Sequence, residues 1–192
     1  MAYSSSGKIF GFVLIFLLIC MLVSCGTSMA PKKSEPTVRV SVTAPPDASP
    51  LEQVLTWSAD RHTTRSITIR KINTGATNPA NGIVVVDWDY NKSGAMKYAI
   101  EDLLEFVLKV SRDMRAYDSC QKLTFTVWCP AVDKYGNKTD VVGVTFEIKA
   151  STMDAINYDY MLKLTGIDQE YVINAFDHCY MMGFIEEDIT SR

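Results

Sequence analysis

One segment near the middle of the chain restricts the fold more than any other feature. Apolar side chains recur there at alternating steps of four and three residues, at Met96, Ile100, Leu103, Val107, Val110 and Met114. Charged side chains lie off that stripe, at Lys97, Glu101, Glu105, Lys109, Arg112 and Asp113. The spacing predicts an amphipathic helix over residues 93–117 whose apolar stripe is buried against another layer of the domain.

Segments on both sides of this helix alternate between apolar and polar residues, a pattern typical of strands with one buried face. These segments are residues 66–72, 83–90, 122–128 and 142–148. Turn formers connect the first two segments, and Gly136 and Asn137 lie between the last two, so each pair is predicted to form a hairpin. The second strand begins with four consecutive apolar residues, 83–86, which predicts a central strand covered on both faces.

Three further helices are predicted from shorter patterns. The first follows Pro50 over residues 51–58, the second spans 152–160 from a Ser151 or Thr152 cap, and the third spans 168–182 and ends at Gly183. The third would carry one apolar side made of Tyr171, Val172, Ala175, Phe176 and Cys179. The order of elements predicts one α+β domain over residues 51–192, a two-layer sandwich with an antiparallel or mixed sheet and helices mainly on one face.

The first 24 residues have the three parts of an export signal. A short polar start contains Lys8, residues 9–23 form an apolar run, and the small residue Ser24 precedes Cys25. The run is shorter than the roughly 20 residues of a membrane-spanning helix, which favours a cleaved signal peptide over residues 1–24. The alternative is an uncleaved signal-anchor, because Ser24, Cys25 and Gly26 are not costly to bury.

The sequence Leu22-Val23-Ser24-Cys25 resembles the bacterial lipobox, in which a leucine stands three positions before the cysteine and a small residue directly before it. This resemblance implies that Cys25 is lipidated with a diacylglyceryl group and becomes the first residue of the mature chain. Two or more acyl chains hold a protein stably on a membrane. The expected location is therefore the extracytoplasmic face of the cell membrane. An ordinary signal peptide with a chance cysteine is the alternative.

Residues 25–50 contain five of the seven prolines of the chain and are predicted to form a semi-stiff tether. Within the tether, residues 37–42 alternate and are an alternative first strand of the domain. The formal charge of the whole chain is -3 and gives no basic surface, so no nucleic-acid partner is expected.

Three of the five cysteines belong to the predicted domain, namely Cys120, Cys129 and Cys179. Because Cys120 and Cys129 flank a strand, they would lie roughly 30 Å apart, far beyond disulfide reach. Any disulfide would use Cys179, and otherwise all three are reduced and largely buried thiols.

Few residues in the sequence are candidates for chemistry. Asp87 and Asp89 would share one face of a strand, where two carboxylates could bind a cation or perform acid–base catalysis, but solvation at the sheet edge is the favoured interpretation. His62 and His178 have no accompanying nucleophile motif, and His178 and Cys179 would point about 100° apart on a helix. We therefore predict no catalytic residue, metal ligand or cofactor.

The segment between the last two predicted strands is a candidate recognition loop made of Asp133, Lys134, Tyr135 and Asn137, since loops often carry function. The alternative is a simple turn whose Gly136 and Asn137 accept a positive φ angle.

The region 90–182 resembles a module of uncharacterised lipoproteins and mobile-element proteins of Gram-positive bacteria. The most specific matching pieces are the sequence VDKYGNK and the aromatic residue after Ile156-Asn157. The resemblance implies an architecture and a location, and no particular chemistry. The expected function is that of a non-enzymatic interaction or envelope module, anchored to the membrane through Cys25, with an envelope or cell-surface protein as its partner. The alternatives are a tethered metal-binding or hydrolytic protein using Asp87 and Asp89, and a host-facing effector or exclusion factor.

Overall fold

The long amphipathic helix packs on one face of a five-stranded sheet in the computed structural model, which describes residues 44–132, 135–183 and 185. The predicted cleaved signal, Cys25 and the strand at 37–42 lie outside the described residues. The helices are α1 (Pro50–His62), α2 (Met96–Arg115), α3 (Ala150–Ala155), α4 (Tyr158–Leu164) and α5 (Gln169–Asn174), with a 3₁₀ turn at Tyr90–Ser93. The strands are β1 (Ile67–Thr74), β2 (Asn81–Trp88), β3 (Lys122–Val132), β4 (Lys138–Lys149) and β5 (His178–Met181).

The sheet is mixed, and its strands follow the chain order from β1 to β5. The β1–β2 and β3–β4 pairs are the two predicted hairpins, and both are antiparallel. Strands β2 and β3 are parallel, because helix α2 carries the chain back across the sheet between them. The predicted α+β class, with helices beside a mixed sheet, is therefore confirmed.

Helix α2 supplies most of the helical side of the core. Five residues of the predicted stripe are buried, at Ile100, Leu103, Val107, Val110 and Met114. The ring of Phe106 meets Phe125 of β3 edge to face, with ring centroids 6.2 Å apart. Each strand turns alternate residues toward this helix, so the core has the period of two expected for one sheet face.

Strand β2 is central, as predicted, but only one of its faces is covered. Val84, Val86 and Trp88 are fully buried, whereas Ile83 and Val85 on the opposite face are half-buried. The prediction that both faces are covered is wrong. The apolar run 83–86 places side chains on both faces of the sheet, and those on the second face are shielded only partly, by the flanking strands. In the described part of the chain this second face carries no helix, and we call it the open face.

The region 150–160 forms two short helices instead of one. Ile156 is extended and interrupts the helical path, and the side chain of Asn157 then accepts a hydrogen bond from the Tyr160 N–H to start α4. The predicted cap is also wrong, because Lys149 precedes α3 and makes no side-chain capping bond.

The predicted last helix, 168–182, is wrong in its second half. Helix α5 ends at Asn174, and residues 178–181 form β5 on the edge of β4. Phe176 packs against Phe146 of β4 with ring centroids 5.2 Å apart, and the Asp177 N–H donates to the Glu147 carbonyl. The edge of β4 thus offers unpaired backbone groups that a helix would leave unsatisfied. Gly183 follows β5 and does not end α5.

Strand β4 contains a bulge at Gly143, because Val127 pairs with Val144 whereas Trp128 pairs with Val142. A side chain at position 143 would overlap the Sγ atom of Cys129. The close approach of the Cys129 thiol therefore requires glycine here, at the point where β3 and β4 leave the rest of the sheet.

The Gly143→Ala substitution should lower the free energy of unfolding by about 1–3 kcal/mol, since the added methyl group overpacks this contact. The cost should be clearly smaller in a Cys129→Ala background, because the overlapping sulfur is then absent. Urea unfolding of the two single variants and the double variant measures the coupling. Equal costs of Gly143→Ala in both backgrounds would contradict this account of the bulge.

Candidate functional site

Strands β3 and β4 extend beyond the other strands as a two-stranded ribbon. Strand β2 pairs with β3 only as far as Trp128, and β5 pairs with β4 only between Val144 and Glu147. Pairing of β3 with β4 continues from Cys129–Val141 to Val132–Lys138 without a third strand. We call residues 129–132 and 135–141 the β3–β4 arm.

The tip of the arm coincides with the candidate recognition loop. Tyr135 is 77% exposed and Val132 is 65% exposed, which makes them two of the most exposed large apolar side chains in the described region. Gly136 has φ +85°, a left-handed conformation that favours glycine. Of the predicted loop residues, Tyr135 and Asn137 lie at this tip, and Asp133 and Lys134 lie outside the described residues.

Arg70 ties the base of the arm to the sheet. It lies at a bulge in β1, and its guanidinium is 2.5 Å from Asp87 Oδ1 and 2.8 Å from Asp140 Oδ2. The same guanidinium stacks over the ring of Trp128, 4.8 Å from the ring centroid. Because Asp87 belongs to β2, Trp128 to β3 and Asp140 to β4, this one cation of β1 joins four strands on the open face.

A second tie reaches the arm from the 3₁₀ turn. The hydroxyl of Tyr90 donates to the carbonyl of Pro130 at 3.0 Å. The arm is thus an extended ribbon whose base has two polar anchors and whose tip is exposed. A rigid base with an exposed tip is a common arrangement for binding loops.

The open face beside the arm is neither strongly charged nor strongly apolar. It combines aliphatic, threonine and aromatic side chains that are half-buried or exposed, namely Ile83, Val85, Thr124, Thr126, Trp128, Thr145 and Tyr180. Tyr180 on β5 is 54% exposed. Threonines and aromatics of this kind suit a pleated surface that contacts another protein.

The two candidate acidic residues are not paired with each other. Asp87 bonds to Arg70, and Asp89 lies beyond the end of β2, where its Oδ2 atom is 3.4 Å from Lys92 Nζ. The expectation that both carboxylates share one face of a strand is wrong for Asp89. Its backbone N–H already bonds to Ser66, and the chain turns into the 3₁₀ helix.

His62 belongs to a polar cluster between α1 and α2. Asp113 Oδ2 accepts a hydrogen bond from Ser58 Oγ at 2.9 Å and lies 2.8 Å from His62 Nε2. One carboxylate oxygen therefore stands between the serine and the histidine. A nucleophile–base pair requires the serine to bond directly to the histidine. The cluster therefore has the geometry of a hydrogen-bonded contact that holds α1 against α2.

The three domain cysteines form no disulfide. Cys120 and Cys129 are buried, and Cys179 is half-buried on β5. Burial raises the pKa of the Cys120 thiol and, together with the nearby charge of Asp140, the pKa of the Cys129 thiol. Raised pKa values keep both groups as unreactive thiols at neutral pH. His178 is exposed on β5, one residue before Cys179, so the two side chains point to opposite faces of the strand.

Sequence reasoning did not identify Arg70 and Trp128 as neighbours. No local pattern brings them together, because Arg70 reaches Trp128 through a bulge and across two strand pairings.

Within the described residues, no group of three or more His, Cys, Asp or Glu side chains is placed to hold a metal ion. None of the described helices has the length and apolar character needed to cross a bilayer.

No protein-family model, curated protein or solved structure matches this chain. The class defined by the geometry is an α+β domain with one open sheet face and a projecting ribbon.

The Asp140→Ala substitution should loosen the arm, since it removes one polar anchor and leaves the contact between Arg70 and Asp87 in place. Hydrogen exchange followed by mass spectrometry should show faster exchange of the arm amides, in residues 129–132 and 135–141. Amide exchange in residues 122–127, the part of β3 inside the sheet, should stay unchanged. An exchange increase spread evenly over β3 would mean that Asp140 supports the whole sheet and does not anchor the arm.

Proposed function

We propose that this chain is a membrane-anchored extracytoplasmic lipoprotein that acts as a non-enzymatic interaction module. The observation that carries the interaction role is the β3–β4 arm, a ribbon anchored at its base by Arg70 and Tyr90 and exposed at its tip by Val132 and Tyr135. Tyrosine at the exposed end of a rigid element supplies a large contact area at a low entropic cost.

The proposed anchor rests on the N-terminal sequence. An apolar run followed by Leu22-Val23-Ser24-Cys25 supports lipidation at Cys25, and the proline-rich residues 25–50 support a spacer between the membrane and the domain. A module held in this way meets its partner in the envelope or at the cell surface.

The proposed partner surface consists of the arm and the adjoining open face. Both lie on the same part of the sheet, because Trp128 and Pro130 continue along β3 from the open face into the arm. On this surface Arg70 forms ion pairs with both Asp87 and Asp140, so the cation and the two carboxylates are all partnered, which suits contact with a protein. Since Asp87 and Asp89 are each held by a basic side chain, we do not propose a metal-binding or hydrolytic function for them.

Lipidation predicts that an alkyne fatty acid fed to producing cells becomes covalently attached to the wild-type chain. The Cys25→Ala variant should carry no label and should leave the membrane fraction, because the thiol that accepts the lipid is absent. Click detection after gel separation measures the label, and fractionation measures the location. An unlabelled wild-type chain would remove the lipoprotein proposal.

The interaction role predicts that a photo-crosslinking residue at the tip of the arm captures a specific partner. We expect Tyr135→p-benzoylphenylalanine, irradiated in intact cells, to give a discrete protein adduct of higher mass. Tyr98→p-benzoylphenylalanine is the matched control, since Tyr98 is also exposed, at 59%, and lies on α2. The same adduct from both positions, or none from Tyr135, would contradict the proposed role of the arm.

A further inference from the structure

A groove that plays no part in the proposed function lies among the three short helices α3, α4 and α5. Its volume is about 400 Å³. Two tyrosines, Tyr160 of α4 and Tyr171 of α5, contribute to its wall together with Ser151, Asn157 and Met161. The sequence pattern predicts Tyr171 on the apolar side of a helix, whereas the structure leaves about half of this residue accessible, at 51%.

The two tyrosine rings have a fixed mutual geometry. Their centroids are 6.4 Å apart, their planes are at 88°, and each side chain is 51% exposed. Both residues occupy the same position in a capped first turn, since Asn157 accepts from the Tyr160 N–H and Asp168 accepts from the Tyr171 N–H. The caps hold the backbones of both tyrosines in place, which limits the conformational freedom that the pair loses when a ligand binds.

Two tryptophan rings at the surface of the domain already have a cation above them. Arg61 lies over Trp57 at 5.3 Å from the ring centroid, and Arg70 lies over Trp128. In the described part of the chain, neither Tyr160 nor Tyr171 has a cationic side chain of the protein over its ring. The electron-rich faces of this pair are therefore open to an external cation.

The surroundings of the groove are anionic. Residues 151–177 contain five acidic side chains, Asp154, Asp159, Asp168, Glu170 and Asp177, and one basic side chain, Lys163. Of the five, Asp177 lies 3.4 Å from Lys149 Nζ and Asp154 Oδ1 lies 3.6 Å from Arg115 Nε, so these two charges are partly compensated. Asp159 and Glu170 are exposed, and each directly precedes one of the two tyrosines. Acidic residues in a first turn also stabilise the helix, but on this surface they add a negative potential beside the rings.

We propose that this groove binds a quaternary ammonium group through the faces of Tyr160 and Tyr171. A quaternary ammonium ion is large and has no N–H to hydrate, so it loses little hydration when it contacts an aromatic face. A primary ammonium ion is compact and strongly hydrated, and it would lose more. The acidic residues nearby attract the cation over a longer range, and the hydroxyl and amide groups of the wall remain available to the rest of the ligand.

The test uses the full-length chain in dodecyl maltoside, a detergent without an ammonium group, and choline as the probe. Its neutral isostere 3,3-dimethyl-1-butanol has the same shape without the charge. We expect choline to give saturable NMR shifts of the Tyr160 and Tyr171 ring signals, and the isostere to bind at least about tenfold more weakly. Equal affinities for choline and the isostere would mean that the groove binds only apolar groups. The absence of a saturable shift with choline would mean that the groove is not a binding site. Either result would overturn the proposal.

Variants separate the ring face from the hydroxyl group. Tyr160→Leu and Tyr171→Leu should each weaken choline binding about tenfold or more, whereas Tyr171→Phe should keep most of it, because the ring remains. Tyr180→Leu is the matched control, since it removes an equally exposed tyrosine from β5. Thermal melting checks that each variant is folded. If the leucine variants are unfolded, the comparison of choline with its isostere on the wild-type chain still tests the proposal. Loss of binding in Tyr171→Phe as large as in Tyr171→Leu would assign the contact to the hydroxyl and refute the proposal.

Discussion

The packing of helix α2 on one face of the sheet is the contact on which the rest of the structure depends. Five residues of its apolar stripe are buried, and the ring of Phe106 packs edge to face against Phe125 of β3. Burial of apolar surface is the main favourable term in folding, and this helix supplies a large part of it. Because α2 also carries the chain from β2 to β3, the same helix makes those two strands parallel.

One-sided packing has a direct consequence for the proposed function. The helices of the described region cover one face of the sheet and leave the other to partial shielding by neighbouring strands. Surface that the core does not need is then available for contacts with other molecules. The arm extends this open face beyond the sheet, where Arg70 and Tyr90 compensate for the absence of a third strand.

The three short helices of the C-terminal region also depend on tertiary packing for their stability. Helices α3, α4 and α5 are too short to be stable in isolation. All three depend on packing against α2, and α4 and α5 also have side-chain caps. Asn157 and Asp168 each begin a helix and bring Tyr160 and Tyr171 together on the surface. A groove of fixed shape therefore comes from pieces of chain that have little local stability of their own.

Long and regular patterns in the sequence are enough to predict most of the secondary structure of this domain. The stripe from Ile100 to Met114 and the alternation in four strands reflect burial on one side, which a local pattern records directly. The turn at Gly136 reflects a left-handed φ angle that favours glycine. The sequence also indicated the fold class and the exposed tip of the arm. Residues 178–181 form a strand because of a tertiary contact, since the edge of β4 supplies hydrogen bonds that outweigh the helical pattern of the segment. Long-range contacts likewise decided that Arg70 meets Asp87, Asp140 and Trp128 and that two tyrosines share a groove, because residues far apart in sequence become neighbours only after the strands have paired and the helices have packed.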